Sequence, residues 1–346
     1  MSSAQALRGM ATLAVGHTRS GSPHGRRLLH TARHLCSIIN TSAQPGTWQP
    51  PLQHETPSAE EVELRRELAC AYRWADRHGL SEGVCNHFTA EVSPGRFLVI
   101  PYGMTWAEVT ATSLLLVDER GVVLRGGGPE LPAAAATMSG ALPPTPDGYD
   151  ETGLLEPTAF YIHGAIHKVC GSRARVVLHT HMPYATALAC TTARPDVAGM
   201  RQPNRLAYVH QGSSRFWGRT VYEDRFGGLV MDDEEGMVFA RRLAELPQKD
   251  DLSEELSVLF LANHGVLVCA PTVAMAYDSL YYLERTCMFQ VKALQAMGPH
   301  GQLQCISDAQ MDALHKQKMK VCSFQAQKHF GALRRRIEHE EPEVLD

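Results

Sequence analysis

The chain has 346 residues, of which 44% are hydrophobic and 20% are charged, a composition typical of a globular protein. A formal net charge of -4 at pH 7 argues against nucleic-acid binding through phosphate neutralisation, and no apolar run is long enough to span a bilayer. The nine cysteines are odd in number and include no C-x-x-C pair, which argues against a disulfide framework. We therefore expect a small-molecule partner, with no nucleic acid and no membrane.

The first 55 residues differ in composition from the rest of the chain. Residues 1–54 contain neither Asp nor Glu, while arginines recur among Ser, Thr, Ala and Leu. Residues 26–35 have the pattern of a short basic amphipathic helix, without the long apolar core of a secretory signal. This composition predicts a mitochondrial transit peptide and linker over residues 1–55, with the matrix as the destination. The alternative is a disordered basic extension on a cytoplasmic protein.

The segment after the linker begins with a helix and two hairpins. Ser58 and Glu61 have spacing consistent with a capping box, and the apolar period that follows predicts a helix ending at Gly79. Short apolar stretches separated by turn residues then predict strands over 86–92, 96–100, 114–117 and 122–124. Residues 126–153 are rich in Gly, Pro and Ala, which predicts a loop insertion.

Predicted strands alternate with predicted helices in the second half of the chain. The apolar periods predict helices over 158–169, 183–190 and 273–297. They predict strands over 174–178, 256–262 and 266–269. This order predicts an α/β fold with a mixed, largely antiparallel sheet in a domain spanning 56–300. Residues 301–346 form a tail whose charged helix is expected to lie in solvent or to pack in an oligomer.

Three histidines follow apolar strands and have the arrangement of metal ligands. His179 and His181 are two residues apart at the end of a strand, so their imidazoles project from one face. His264 ends another apolar strand and precedes Gly265, which lets the backbone pass close by. Three neutral imidazoles with an open position are typical of a catalytic metal site, whereas histidines at this spacing are also found as ordinary packed residues.

Other histidines are interpreted as packing residues. His163 and His167 have the i, i+4 spacing of a helical metal pair, but the acidic residue of an H-E-x-x-H motif is absent. His87 and His210 are isolated in the sequence, and we treat them as structural or substrate-side residues. All four are left outside the predicted metal site.

Seven segments, in order, resemble the class II aldolase/adducin family. They lie at 85–90, 100–103, 160–167, 177–181, 215–219, 262–265 and 280–285. The resemblance covers most of residues 60–297. It implies a three-layer αβα domain and a homotetramer with active sites at subunit interfaces. His179, His181 and His264 match the family's zinc-binding histidines, and three imidazoles also accept Mn²⁺ or Fe²⁺.

The resemblance also implies substrate-binding residues. Asn86, Gly103 and Thr158 fall where the family binds a substrate phosphate. Tyr102 stands in the same pocket in place of a small hydroxyl residue, which narrows the space for a phosphate.

One departure from the family pattern concerns the catalytic base. The family's sugar-phosphate aldolases carry a glutamate four residues before the position of His163, and Ala159 stands there in this chain. Glu156 is the nearest carboxylate. The pattern therefore resembles the decarboxylase-like branch of the family, in which the metal stabilises an enolate. Tyr281 and Tyr282 are candidate proton donors reaching across a subunit interface, although helix packing accounts for them equally well.

These observations predict an enzyme, a metal-dependent aldolase- or decarboxylase-like lyase acting on a small hydroxy or keto acid or a sugar derivative. The alternative is a non-catalytic, adducin-like scaffold that binds the actin cytoskeleton. An intact histidine triad favours the enzyme, because a scaffold does not need it.

Overall fold

The computed structural model describes residues 56–126, 153–191, 205–248, 251, 255–298 and 301–346. The predicted transit peptide and nearly all of the predicted loop insertion at 126–153 lie outside these residues. No helix in the described part of the chain is both long enough and apolar enough to cross a membrane.

Six α-helices are present among the described residues. Ser58 caps the first helix by accepting a hydrogen bond from the amide of Glu61, at the predicted position. The helices are α1 (Ala59–Arg77), α2 (Pro157–Cys170), α3 (Pro183–Ala189), α4 (Asp233–Ala244), α5 (Val273–Met297) and α6 (Asp308–Glu340). Short 3-10 helices lie at Trp106–Glu108, Gly171–Ala174, Gln211–Phe216 and Pro342–Leu345.

The strands form one eight-stranded sheet in the order β4-β3-β2-β1-β5-β8-β7-β6. They are β1 (His87–Ser93), β2 (Arg96–Val99), β3 (Leu115–Asp118), β4 (Val123–Arg125), β5 (Val176–Thr180), β6 (Thr220–Glu223), β7 (Ser257–Leu261) and β8 (Gly265–Ala270). Every neighbouring pair is antiparallel except β6 and β7. The predicted mixed, largely antiparallel sheet is confirmed. The edge strand β6 and the helix α4 were not predicted.

Helices cover both faces of the sheet. Alternate residues of β5 enter different cores: Val176 and Leu178 pack with α1 and α5, whereas Val177 packs with α2 and α4. Because side chains alternate across a strand, this division places the sheet between two helical layers. The predicted three-layer αβα arrangement is therefore confirmed.

The tail after residue 300 is helical, as predicted, but one of its faces is buried. Ala326, Phe330 and Ile337 of α6 belong to the same core as α1 and α5. Leu333 accepts a hydrogen bond from the indole of Trp74 through its carbonyl oxygen. The expectation of a solvated helix is wrong for this face, because it completes one of the two helical layers.

Candidate metal centre

The three predicted histidines meet at one end of the central strands. His179 is the fourth residue of β5, and His181 follows the end of that strand. His264 lies in the tight turn between β7 and β8, where Asn263 adopts a positive φ of 57°. A Cβ on Gly265 would lie 2.7 Å from the carbonyl oxygen of Thr180, so glycine permits the close approach of β8 to the end of β5.

The imidazoles of this triad surround a common point. Their ring centroids are 4.8 to 5.0 Å apart, and their ligand nitrogens all lie within 4.8 Å of one another. His179 donates through Nδ1 to the carbonyl of Val266 at 3.1 Å, and His181 Nδ1 lies 2.5 Å from the carboxylate of Glu82. These contacts on the outer nitrogens leave the two Nε2 atoms facing inward.

The geometry fits a tetrahedral metal ion. The Nε2 atoms of His179 and His181 are 3.2 Å apart. Two nitrogen ligands at about 2.0–2.1 Å from a tetrahedral zinc ion lie about 3.3 Å apart. Two unprotonated nitrogens at this distance repel each other, and a cation between them removes that repulsion. The residues present therefore fit a divalent ion.

Burial keeps His179 and His264 neutral and ready to bind metal. It lowers the pKa of His179 well below the ordinary value, and the neighbouring His264 lowers it further. Burial, followed by the effect of His181, lowers the pKa of His264 to about 4. At pH 7 both rings offer a lone pair without first losing a proton.

Asn86 is adjacent to the triad, as its predicted substrate-side role requires. Its side-chain oxygen accepts hydrogen bonds from the amides of Glu82 and His181, at 2.8 and 3.3 Å. Its amide nitrogen Nδ2 is buried and has no hydrogen-bond partner among the described residues. A buried donor of this kind is suited to an oxygen of a bound ligand.

Of the other predicted substrate residues, Thr158 lies in helix α2, whereas Tyr102 and Gly103 lie in the loop after β2. Thr158 donates to the carboxylate of Glu156 at 2.5 Å in the first turn of α2. Tyr102 is half-buried, and its amide donates to the carbonyl of Leu154 at 2.7 Å. Gly103 has a positive φ of 89°. None of these contacts joins Tyr102 or Gly103 to the histidine triad.

Tyr281 and Tyr282 contact other groups within the chain. The Tyr281 ring packs against His78 and His329, at centroid distances of 5.1 and 5.2 Å. The guanidinium of Arg215 lies 4.0 Å from the centre of the Tyr282 ring. The described contacts of one chain do not bring either phenol to the triad, so a catalytic role across a subunit interface stays a prediction.

A second histidine cluster beside the triad was missed by sequence reasoning. His87, His163 and His167 are all buried: His87 hydrogen-bonds His163 directly, and Thr89 links His163 to His167. The His87 ring lies 5.0 Å from that of His179. Burial lowers the pKa of His87 to about 3 and that of His167 to about 4, so both are neutral. The sequence signal for this cluster was the i, i+2 spacing that places His87 and Thr89 on one face of a strand, together with the i, i+4 spacing of His163 and His167 on a helix.

The fold and site together define an α/β protein built around a three-histidine, metal-competent centre. The family model described as Class II Aldolase and Adducin N-terminal domain matches residues 66–291. The chain belongs to the class II aldolase/adducin family.

Similar proteins include both adducin-related and aldolase-related members. An adducin-related protein of Schizosaccharomyces pombe is 28% identical over 278 residues, which cover 79% of this chain and 70% of that protein. Alpha-adducin of Rattus norvegicus is 27% identical over 239 residues, which cover 68% of this chain but only 26% of alpha-adducin.

Solved structures support the fold. An aldolase II superfamily protein from Pseudomonas syringae has a TM-score of 0.63 and 27% identity, covering 84% of this chain and 98% of that one. L-fuculose 1-phosphate aldolase from Glaciozyma antarctica has a TM-score of 0.61 and 24% identity, covering 86% of this chain and 96% of that one, which shows a shared fold.

Proposed function

We propose that the protein is a metal-dependent, aldolase- or decarboxylase-like lyase acting on a small hydroxy or keto acid or a sugar derivative. The observation that carries the proposal is the 3.2 Å separation of two inward-facing Nε2 atoms, with His264 completing the triad. A divalent ion held there, Zn²⁺ in the first instance and Mn²⁺ or Fe²⁺ as alternatives, supplies Lewis-acid polarisation of a substrate carbonyl oxygen.

Elemental analysis tests the metal site. Protein lacking its first fifty residues is expected to contain about one divalent ion per chain, and His179→Ala is expected to lose it. His339→Ala, at an exposed position near the end of α6, is the matched control and should retain the ion. Absence of metal from the unmutated protein, even after reconstitution, would contradict the proposed enzyme.

The reaction is tested by a substrate screen. Hydroxy and keto acids, each with and without phosphate, are incubated with the metal-loaded protein and with His179→Ala. Metal-dependent release of an aldehyde indicates aldol cleavage, and release of CO₂ indicates decarboxylation. Two residues favour substrates other than sugar phosphates. Ala159 supplies no catalytic base, and Tyr102 leaves less space for a phosphate.

A second candidate function rests on the adducin-related sequences. A non-catalytic scaffold that binds the actin cytoskeleton would need neither the triad nor the orientation of its imidazoles. Co-sedimentation with filamentous actin tests this alternative. Co-sedimentation that His179→Ala leaves unchanged, together with a negative substrate screen, would favour the scaffold.

We further propose a homotetramer and mitochondrial matrix localisation. Light scattering coupled to size-exclusion chromatography checks the assembly, with four chains as the expected mass. A fusion of residues 1–55 to a fluorescent protein checks the localisation, with mitochondrial fluorescence as the expected result. Cytoplasmic fluorescence would contradict it.

A further inference from the structure

A buried nitrogen beside the triad lacks a hydrogen-bond partner. His87 is 2% exposed, and its Nε2 is buried with no partner among the described residues. The nearest acidic group is the Glu156 carboxylate, with Oε2 at 3.8 Å, outside hydrogen-bond distance. An unsatisfied buried polar atom costs stability, so it points to a ligand that completes its bonding.

The proton on His87 can be located by following a chain of hydrogen bonds. The chain begins at the main-chain carbonyl of Ala174, which only accepts, so His167 Nδ1 is the donor at 2.8 Å. The neutral His167 ring therefore has a bare Nε2. It accepts the hydroxyl proton of Thr89 at 2.8 Å.

The chain of hydrogen bonds continues from Thr89 to His87. Because the Thr89 hydroxyl donates its one hydrogen bond to His167, its oxygen is the acceptor in the 2.6 Å contact with His163 Nδ1. The Nε2 of His163 is then bare and accepts from His87 Nδ1 at 2.8 Å. In a neutral ring with Nδ1 protonated, Nε2 carries a lone pair. The unpartnered atom of His87 is therefore an acceptor.

The Glu156 carboxylate restricts which donor fits this acceptor. Its Oε2 already accepts from the Ala159 amide at 2.6 Å and from the Thr158 hydroxyl at 2.5 Å, as the cap of α2. It therefore lies beside His87 as a fixed negative charge. An anionic group is repelled at this point, whereas a neutral hydroxyl is not.

We propose that His87 Nε2 binds a hydroxyl group of the substrate beside the metal centre, and that Glu156 excludes an anionic group from the same position. Thr89, His163 and His167 are positioning residues, because they hold His87 in the tautomer with a bare Nε2. This inference rests on the proposed function and deepens it, since it assigns the substrate a free hydroxyl group rather than a phosphate at this position.

The tautomer is tested on metal-free protein, so this test does not depend on the metal site. Neutron diffraction from crystals grown in D₂O reports the deuterons on each imidazole. We expect a deuteron on Nδ1 of His87 and none on Nε2. A deuteron on Nε2 overturns the proposal.

Ligand discrimination is tested on zinc-loaded protein with two probes that differ in one donor. Glycolate carries a free hydroxyl, and methoxyacetate carries a methyl ether in its place. We expect calorimetry to give a dissociation constant about tenfold lower for glycolate than for methoxyacetate. A tenfold ratio corresponds to the net contribution of about one hydrogen bond to a buried acceptor. A ratio near one in the unmutated protein overturns the proposal.

Three variants separate this role from general destabilisation. His87→Asn retains a donor near the position of Nδ1 but lacks Nε2, so it should keep zinc and lose the preference for glycolate. Thr89→Ser keeps the hydroxyl that links His163 to His167, so it should keep the preference for glycolate over methoxyacetate. Thr89→Val removes this hydroxyl and should reduce the preference. A preference retained in a folded, zinc-loaded His87→Asn overturns the subsite. Failure of the unmutated protein to bind zinc instead contradicts the proposed function, and the neutron result still decides the state of His87.

Discussion

The carboxylate of Glu82 lies 2.5 Å from Nδ1 of His181, so a side chain that is 68% exposed orients one of the three candidate metal ligands. An acceptor on the outer nitrogen of a ligand histidine fixes the orientation of its ring, with Nε2 toward the metal. We expect Glu82→Ala to weaken zinc binding about 10- to 100-fold. Competition with a chromophoric chelator measures the affinity. Glu119→Ala, at an exposed turn away from the triad, is the control, and equal affinities for the two variants would contradict the role of Glu82.

Gly265 is expected to tolerate no side chain. An added Cβ would lie 2.7 Å from both Thr180 O and His181 Cδ2, so backbone and ligand must shift. We expect Gly265→Ala to lower the free energy of unfolding by about 1–3 kcal/mol and to weaken zinc binding. Gly164→Ala is the matched control, because its Cβ meets nothing within 4 Å in the middle of α2. Urea unfolding should show no loss of stability in the control.

The buried histidines predict loss of stability in mild acid. Burial lowers the folded-state pKa of His167 to about 4, whereas the unfolded value is about 6.5. Between these values the unfolded state binds more protons, so the free energy of unfolding falls as pH falls, by up to about 1.4 kcal/mol per pH unit for each such group. Urea unfolding of metal-free protein from pH 7 to pH 5 measures the slope. His167→Gln should have a slope smaller by about one proton, and an unchanged slope would contradict the neutral state of His167.

Arg219 and Glu255 form a buried ion pair whose disruption should be costly. Both are at most 2% exposed, and their side chains are 2.5 Å apart. Arg219→Met leaves the Glu255 carboxylate buried without this cation, so we expect a loss of about 3–5 kcal/mol. The double variant Arg219→Met/Glu255→Gln should recover part of that loss. Denaturation midpoints of the two variants provide the comparison, and equal midpoints would argue against a cost of burying the Glu255 carboxylate without Arg219.

The histidine triad could be predicted because its signal is local. Each ligand lies at or just beyond the end of an apolar strand, and strand ends at one edge of a sheet meet. The hydrogen-bond chain through His87 could not be predicted in the same way, because it depends on which strands pair. His87 lies opposite His179 only through the antiparallel register of β1 and β5, and α2 must then cover that face.

Glu156 shows a different limit of sequence reasoning. Counting along the chain finds no carboxylate within two residues of Ala159. The cap of α2 nevertheless folds the Glu156 side chain back, so its Oε2 is 2.6 Å from the Ala159 amide. The edge strand β6 was missed because it is short and mostly half-buried, and its parallel pairing with β7 has no local signal.

The contact between Trp74 and Leu333 joins residues 259 positions apart. During synthesis, Trp74 of α1 is made 259 residues before Leu333 of α6, the helix that covers it. At about 5–20 residues per second, that interval lasts on the order of 10–50 s. The apolar face of α1 therefore lacks its packing against α6 during that interval. We expect nascent chains of this protein to bind chaperones while this face is exposed.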